Sequence, residues 1–387
     1  MKRCQLSDLV IPVDTWNPAR SGPEESFQYI DLSAIDQEGK SIVGAREVGC
    51  AEAPSRARQL VEAGDILVST VRPNLNGVAR VPDELDGATA STGFCVVRPK
   101  PESLDGSYLF HWVKSAEFIN DMVRKATGAS YPAVSDRIVL ASTIPLPSLA
   151  EQRRIAAILD QADALRAKRR EALALLDELQ RGIFIEMFGD LFLNTNGYPV
   201  SRLGNLCDVR DGTHDSPKFL SEGYPLVTTK NLRNGLIDFS DVSLISEEDY
   251  LAINKRSKVD KGDILMPMIG TIGNPIRVDV NPEFAIKNVA LIKFIELSPD
   301  PQFILQFLKS DCFDRLVVKK NKGGTQKFLA LGEIRELPVP VPPKAVQEKF
   351  AALTAELRIH GQKLQASLET LDALFASLQY RAFQGAL

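Results

Sequence analysis

Residues 148–190, SLAEQRRIAAILDQADALRAKRREALALLDELQRGIFIEMFGD, allow few structures other than one long helix. Pro147, Ser148 and Glu151 form a start signal of the capping-box type, and Gly189 supplies a stop. Between them Ile155, Ile158, Ala162, Leu165, Ala172, Leu176, Leu179 and Ile183 recur at heptad spacing, interrupted where Arg169 takes a seam position. The cluster Arg166, Lys168, Arg169, Arg170 lies among them. At 1.5 Å per residue such a helix spans roughly 60 Å, and an apolar seam of that length requires a partner. The same chain provides one. From 343 to 387, Phe350, Leu357, Leu364, Leu371 and Leu378 mark one heptad position, with Leu353 and Leu374 at the other. The approach IPLPSLAEQRRIAAIL (Ile144–Leu159) is matched by VPVPPKAVQEKFAAL (Val339–Leu353), an offset of about 195 residues that points to a duplicated module, not a solenoid.

The rest of the chain repeats in the same order. VEAGDILVSTVR (Val61–Arg72) corresponds to VDKGDILMPMIG (Val259–Gly270), and GFCVVRP (Gly93–Pro99) to NVALIKF (Asn288–Phe294). The helical patch Ser107–Lys125 corresponds to Pro301–Lys320, and RKATGASYPAVSDRI (Arg124–Ile138) to NKGGTQKFLALGEI (Asn321–Ile334). Strand-type patches fall at Asp65–Val71 and Thr92–Arg98. The expected fold is α+β. Two similar mixed α/β domains, 1–147 and 191–342, alternate with helical segments 148–190 and 343–387. The second helix starts from the domain to which the first delivers the chain. If the seams pair, the helices are antiparallel, forming a pseudo-two-fold coiled coil with a domain at each end.

Composition narrows the chemistry. A chain of 387 residues exceeds one ordinary core. It has no apolar run of membrane length, and MKRCQLSDLV lacks a signal peptide's apolar stretch, so a cytoplasmic location is expected. The five cysteines are scattered without a CxxC, which argues against a disulfide framework or zinc knuckle. Net charge is −4; residues 1–147 carry 15 Lys/Arg against 19 Asp/Glu, and residues 191–342 carry 19 against 19. A nucleic-acid partner would therefore need basic residues gathered on one face of each domain.

No catalytic centre is visible. His111, His214 and His360 have no metal-ligand spacing, and there is no Walker A sequence and no GxSxG. Met268–Gly273 lacks a full dinucleotide fingerprint. Asn281-Pro282-Glu283-Phe284 is close to the Asn-Pro-Pro-aromatic motif of amino-methyltransferases but lacks the second proline, and reads as a turn. Polar loops are better equipped. Ser69, Thr70, Arg72, Asn74 and Asn76 follow a strand in the first domain; Ser130 and Tyr131 lie in the later Gly/Ser loop. In the second, Arg210, Thr213, His214 and Lys218 form one group, and Thr228, Lys230 and Asn231 another. Lys319, Lys320, Lys322, Thr325 and Lys327 surround Gly323-Gly324. Arg pairs bidentately with guanine and Asn with adenine, while hydroxyls and lysines hold phosphates. The loops are expected at matching places in the two copies, on a shared scaffold with divergent binding surfaces.

Together, PLPSLAEQRRIAAIL, PVPPKAVQEKFAAL, the paired GDIL turns, VRPNLN, DGTHDSPKF and GGTQKFLALGEI resemble the specificity (S) subunit of type I restriction–modification systems, over essentially the whole length. The resemblance implies a non-catalytic subunit that reads a bipartite, asymmetric double-stranded DNA sequence, one half per target recognition domain, with the helices as a ruler for the gap. It implies two modification (methyltransferase) subunits bringing S-adenosylmethionine to methylate adenine, and restriction subunits bringing ATP and Mg for translocation and cleavage. No cofactor or metal is expected in this chain. Two other readings stay open: a coiled-coil scaffold with protein-binding domains, and a detached part of a combined methyltransferase–nuclease.

Overall fold

The computed structural model describes all residues except 1, 23, 234, 269–272 and 321–328, and the side chains of 318–320 also lie outside it. The chain divides into two compact units, Met1–Ala172 with Leu364–Leu387, and Leu173–Lys363. Each long helix, Leu149–Phe188 and Lys344–Gln384, contributes one part to each unit.

In the first unit an antiparallel sheet takes the order Val10–Ile11, Phe94–Pro99, Ile66–Ser69, Val78–Arg80. A second sheet, in the order Arg46–Gly49, Ser26–Ile30, Thr89–Ser91, Ala57–Leu60, includes one parallel pair, Thr89–Ser91 with Ser26–Ile30. The second unit repeats the scheme. Asp208–Asp211, Val289–Lys293, Ile264–Pro267 and Ile276–Arg277 form the antiparallel sheet. Ser243–Ile245, Tyr224–Val227 and Ala285–Ile286 form the other, again with one parallel pair. A two-stranded ribbon brings the start of each domain to its end: Arg3–Gln5 with Thr143–Pro145, and Val200–Arg202 with Pro338–Pro340. The duplication expected from four sequence blocks is therefore a duplication of topology.

The GDIL turns show why those letters recur. Gly64 and Gly262 have φ of +89° and +96°, a left-handed conformation that glycine adopts without a Cβ penalty. The next residue closes the turn. The Asp65 carboxylate accepts from the Glu62 amide at 2.8 Å and from Arg98 Nε and Nη2, both at 2.8 Å. Asp263 accepts from the Asp260 amide at 2.7 Å and from Lys293 Nζ at 2.6 Å.

Each apparent helical patch is two helices. Gly106–Val113 and Ala116–Lys125 are separated where Ser115 caps the second, accepting from the Phe118 amide. Pro301–Leu308 and Asp311–Lys320 divide likewise. A glutamine in each long helix fastens it to the first helix of its pair. Gln152 accepts from the Asp105 amide and donates to the Ser103 and Pro147 carbonyls. Gln347 accepts from the Asp300 amide and donates to the Pro342 carbonyl. Both are buried, and each satisfies backbone groups that a helix terminus leaves open.

Within each unit the long helices run antiparallel. In the first, Ile155, Leu159 and Ala162 share a core with Phe375, Ala382 and Phe383, onto which Tyr108 and Trp112 pack; the Trp112 and Phe383 ring centroids are 4.9 Å apart. In the second, Phe184, Phe188, Phe303 and Phe350 form an aromatic cluster with centroids 5.0–5.8 Å apart. Such pairs contribute about 0.5–1.5 kcal/mol each beyond their area burial.

The seam departs from its expected register. The Phe350 line is completed by Thr354, Gly361, Leu368, Phe375 and Ala382, which lie four residues further on instead of three. Leu353 and Leu374 are about half exposed, as are Leu165 and Leu179 on the first helix. Arg169 is exposed; the half-covered arginines are Arg166 and Arg170, whose Nε and Nη2 reach Asp372 Oδ1 at 2.5 and 3.2 Å. The line Phe350, Leu357, Leu364, Leu371 and Leu378 is buried or half-buried as expected; leucine type misplaced only the second heptad position, where threonine, glycine and alanine stand beside Leu368 and Phe375. A Cβ on Gly361 would already touch Leu176 at 3.9 Å.

Candidate nucleic-acid interface

The loop after Ile66–Ser69 is pinned at both ends. Val71 bridges Ala133, and the Arg72 amide donates to the Pro132 carbonyl at 2.7 Å, so the segment 127–133 lies against it. The Arg72 guanidinium consequently stacks over the Tyr131 ring at 4.6 Å. Arg72, Asn74, Ser130 and Tyr131 are exposed and Asn76 is half-buried. Arg72 and Asn76 both adopt the left-handed conformation, at φ +50° and +46°. For a long side chain such as Arg72 this costs on the order of 1–2 kcal/mol and persists only where the surroundings impose it. Lys40, left-handed at φ +56°, donates from Nζ to the Asn76 carbonyl at 2.6 Å; burial, and then the charge of Lys114, lowers its pKa. The helix Ala116–Lys125, ending in Arg124 and Lys125, packs on the Pro73–Leu75 turn of the loop.

Two residues of this group are used internally. Thr70 is buried and donates to the Gly93 carbonyl at 2.8 Å, and the Ser69 hydroxyl donates to the Val71 carbonyl at 2.9 Å. They shape the loop and leave its exterior to Arg72, Asn74 and Tyr131.

In the second unit Thr213 bridges Lys287 and its amide donates to the Ile286 carbonyl. His214 is held on both sides, by Asn288 Oδ1 at 2.8 Å from Nδ1 and by Asp211 Oδ2 at 2.9 Å from Nε2. Arg256 also binds the buried Asp211 carboxylate. Arg210 is committed to Asp208 through Nε and Nη2 and to the Arg256 carbonyl through Nη1. Lys218 is exposed. In the neighbouring turn Asn231 is buried. Its Oδ1 accepts from the Thr228 amide and hydroxyl, and its Nδ2 donates to the carbonyls of Asp238 and Asp241. Thr228 and Asn231 thus fasten a loop on which Lys230, paired with Asp241 at 3.2 Å, faces outward. Lys320 ends the helix Asp311–Lys320, but its side chain and that of Lys319 are outside the described set, as are Lys322, Thr325 and Lys327 altogether.

The strand order overturns one expectation. The loop 69–77 follows the strand whose counterpart is Ile264–Pro267, so it corresponds to 267–275, not to 210–218 or 228–231. The Val134 amide donates to the Thr70 carbonyl and the Leu329 amide to the Met268 carbonyl; Asn76 and Asn274 are both left-handed. The loop 210–218 instead matches the residues after Val10–Ile11, and 228–231 the turn after Ser26–Ile30. The loops singled out by composition occupy different places in the two copies. Lys40, Arg256, Lys287 and Asn288 were missed because their roles depend on contacts across the sheet, for which nothing local signals.

Among the described residues no group of three or more His, Cys, Asp or Glu could hold a metal ion. Burial pushes the Cys207 thiol up to about 12 and Cys312 to about 11, and it raises Cys95 as well, which disfavours nucleophilic thiolates. Asn281–Phe284 leads into a strand with Phe284 buried against Phe239, so that aromatic belongs to the core. Among the described residues no helix is long and apolar enough to cross a membrane.

A duplicated α+β scaffold on paired helices, with polar loops pinned to each copy, defines a two-module binding protein. The chain belongs to the type I restriction–modification DNA specificity family: the profile of that domain matches twice, at residues 58–175 and 196–365. It is similar to the MjaIX specificity subunit of Methanocaldococcus jannaschii, 26% identical over 324 residues that cover 76% of this chain and 72% of that one. It is similar also to the EcoBI specificity subunit of Escherichia coli, 22% identical over 331 residues covering 76% and 68%. The type I restriction–modification S subunit from M. genitalium shares its fold. That likeness has a TM-score of 0.52 at 17% identity, over 99% of this chain and 96% of that one.

Proposed function

We propose that this chain is the DNA-reading subunit of a type I restriction–modification complex, with each domain reading one half of a bipartite, asymmetric double-stranded target. The observation that carries the reading is the duplicated topology bearing non-equivalent loops. One mechanism is kept in both copies while the groups presented to a ligand differ. Arg72, Asn74, Asn76, Ser130 and Tyr131 serve the first half-site. Thr213, His214, Lys218 and Lys230 serve the second, with Lys320, Lys322, Thr325 and Lys327 following the phosphates. Ser69, Thr70, Arg210, Thr228 and Asn231 act by holding these loops in place.

The partners of this reading are two methyltransferase subunits, which bring S-adenosylmethionine and act on adenine, and restriction subunits, which bring ATP and Mg. Family membership supports a non-catalytic role for this chain. The test is a pair of measurements. The purified chain alone should transfer no methyl group from labelled S-adenosylmethionine, whereas with a modification subunit it should direct methylation to one bipartite sequence. Binding to that DNA should fall steeply with salt, as phosphate contacts require. Turnover by the chain alone, or binding indifferent to salt, would overturn the proposal.

A further inference from the structure

Most exposed arginines with a partner among the described residues point their N–H groups at a carboxylate, as Arg46 does at Asp31, Arg124 at Asp121 and Arg202 at Glu336. Arg72 does the reverse. Its guanidinium carbon lies over the Tyr131 ring, 4.6 Å from the centroid, and among the described residues its N–H groups meet no acceptor. The backbone fixes this arrangement from both sides. The Arg72 amide is bonded to Pro132, the residue after Tyr131, and neighbouring Val71 bridges Ala133. Among the described residues Lys40 and Arg72 are the two left-handed residues that are neither glycine nor asparagine, and both belong to this one loop system. A left-handed arginine held over an aromatic ring with its N–H groups unpaired among the described residues is preorganised for a planar, two-point acceptor.

We propose that Arg72 reads a guanine in the first half-site through its free N–H edge, and that Tyr131 is the positioning residue that fixes the plane of the guanidinium. The proposal rests on the DNA-reading function above and deepens it. A planar fork matches the O6 and N7 acceptors of guanine in the major groove, and no other base edge there presents two acceptors. A phosphate could also take two N–H groups, but it would carry no sequence preference. Stacking uses the face of the guanidinium and leaves its edge donors available, so the two interactions are compatible. Tyr131 is 68% exposed, so the ring and the guanidinium over it are open to a ligand.

The test is base-resolution mapping of methylation in host cells carrying the wild-type gene, a deletion, Arg72→Lys, Tyr131→Ala or Tyr131→Phe. In the wild type one half-site should contain an obligatory guanine. Arg72→Lys keeps the charge but loses the fork, and should relax that one position by roughly 5- to 100-fold in preference. Tyr131→Ala should relax the same position by about 2- to 5-fold, the size of an exposed cation–π contact. Tyr131→Phe should restore the wild-type preference, and the other half-site should be unchanged throughout. If Arg72→Lys leaves every position as strict as before, or Tyr131→Ala lowers methylation uniformly, the assignment falls while the DNA-reading function stands. If deletion of the gene leaves the methylation pattern intact, the function itself falls. Should Arg72→Lys abolish all methylation, Tyr131→Ala still decides the matter, because position-specific relaxation cannot arise from a loss of folding.

Discussion

Replacing Asp65 with Asn tests the GDIL turn as the clamp of the first unit. The carboxylate is 2% exposed and accepts three hydrogen bonds, two from Arg98 and one from the Glu62 amide, each at 2.8 Å. An asparagine carbonyl can keep one or two of these, but its amide then points N–H groups at an Arg98 donor, and the charge is gone. Removing one member of a buried ion pair costs roughly 3–5 kcal/mol when the other charge is left alone. Arg98 is not left alone, since Glu62 remains at 2.8 Å, although that carboxylate is 65% exposed. The expected loss is therefore near the lower bound, about 3 kcal/mol, which for a unit of this size lowers the melting temperature by about 6–12 °C. Glu62→Gln is the control: an exposed pair is worth under about 1 kcal/mol, so its shift should stay below about 4 °C. Asp263 offers a replicate in the second unit. There the partner is a single lysine nitrogen, and burial holds the carboxyl above its ordinary range in spite of it. Folding then disfavours the charged form of Asp263, whose contribution weakens as pH rises above 3.8, and Asp263→Asn should cost less than Asp65→Asn at neutral pH. Differential scanning calorimetry of the full chain and its variants measures all three. Equal shifts for Asp65→Asn and Glu62→Gln would refute the argument that burial, and not pairing as such, sets the magnitude.

The remaining predictions concern the helix seams. Burial, helped by the charge of Lys114, holds His111 below its ordinary 6.5 even though Asp160 bonds its Nε2 at 2.6 Å and Asp163 lies close by. The unfolded imidazole therefore gains a proton first, so stability should fall as pH drops below 6.5. His111→Gln, which copies the buried Gln306 at the matching place, should flatten melting temperature against pH in that window. A slope unchanged by the substitution would locate the acid sensitivity elsewhere. Asp160, held low by the same bond, adds a separate loss as pH falls below 3.8. Phe350→Ala opens the aromatic cluster of the second unit and should cost about 3–5 kcal/mol in urea unfolding, against under 1 kcal/mol for Leu353→Ala on the exposed face. Comparable losses would restore the three-residue heptad register.

Some of this molecule is written locally. The two long helices follow from a cap, a heptad period and a stop at Gly189, which adopts φ +69° as a helix-ending glycine does. The duplication follows from repeated words in the same order, and the GDIL turns from a glycine that must be left-handed beside an acid that closes its own turn. These are properties of a few adjacent residues, so the chain order carries them. What the tertiary structure decided is whatever depends on a neighbour distant in the chain. The seam runs along Thr354, Gly361 and Ala382, small residues that no leucine period marks; a Cβ on Gly361 would already touch Leu176 of the opposite helix. Thr70 and Asn231, which read as groups offered to a ligand, are spent on carbonyls 23 and 7–10 residues away. Arg72 and Tyr131 were both legible as polar-loop residues. Their stacking was not, because an isolated backbone bridge between two loops, Val71 with Ala133, and no sequence period, brings them together.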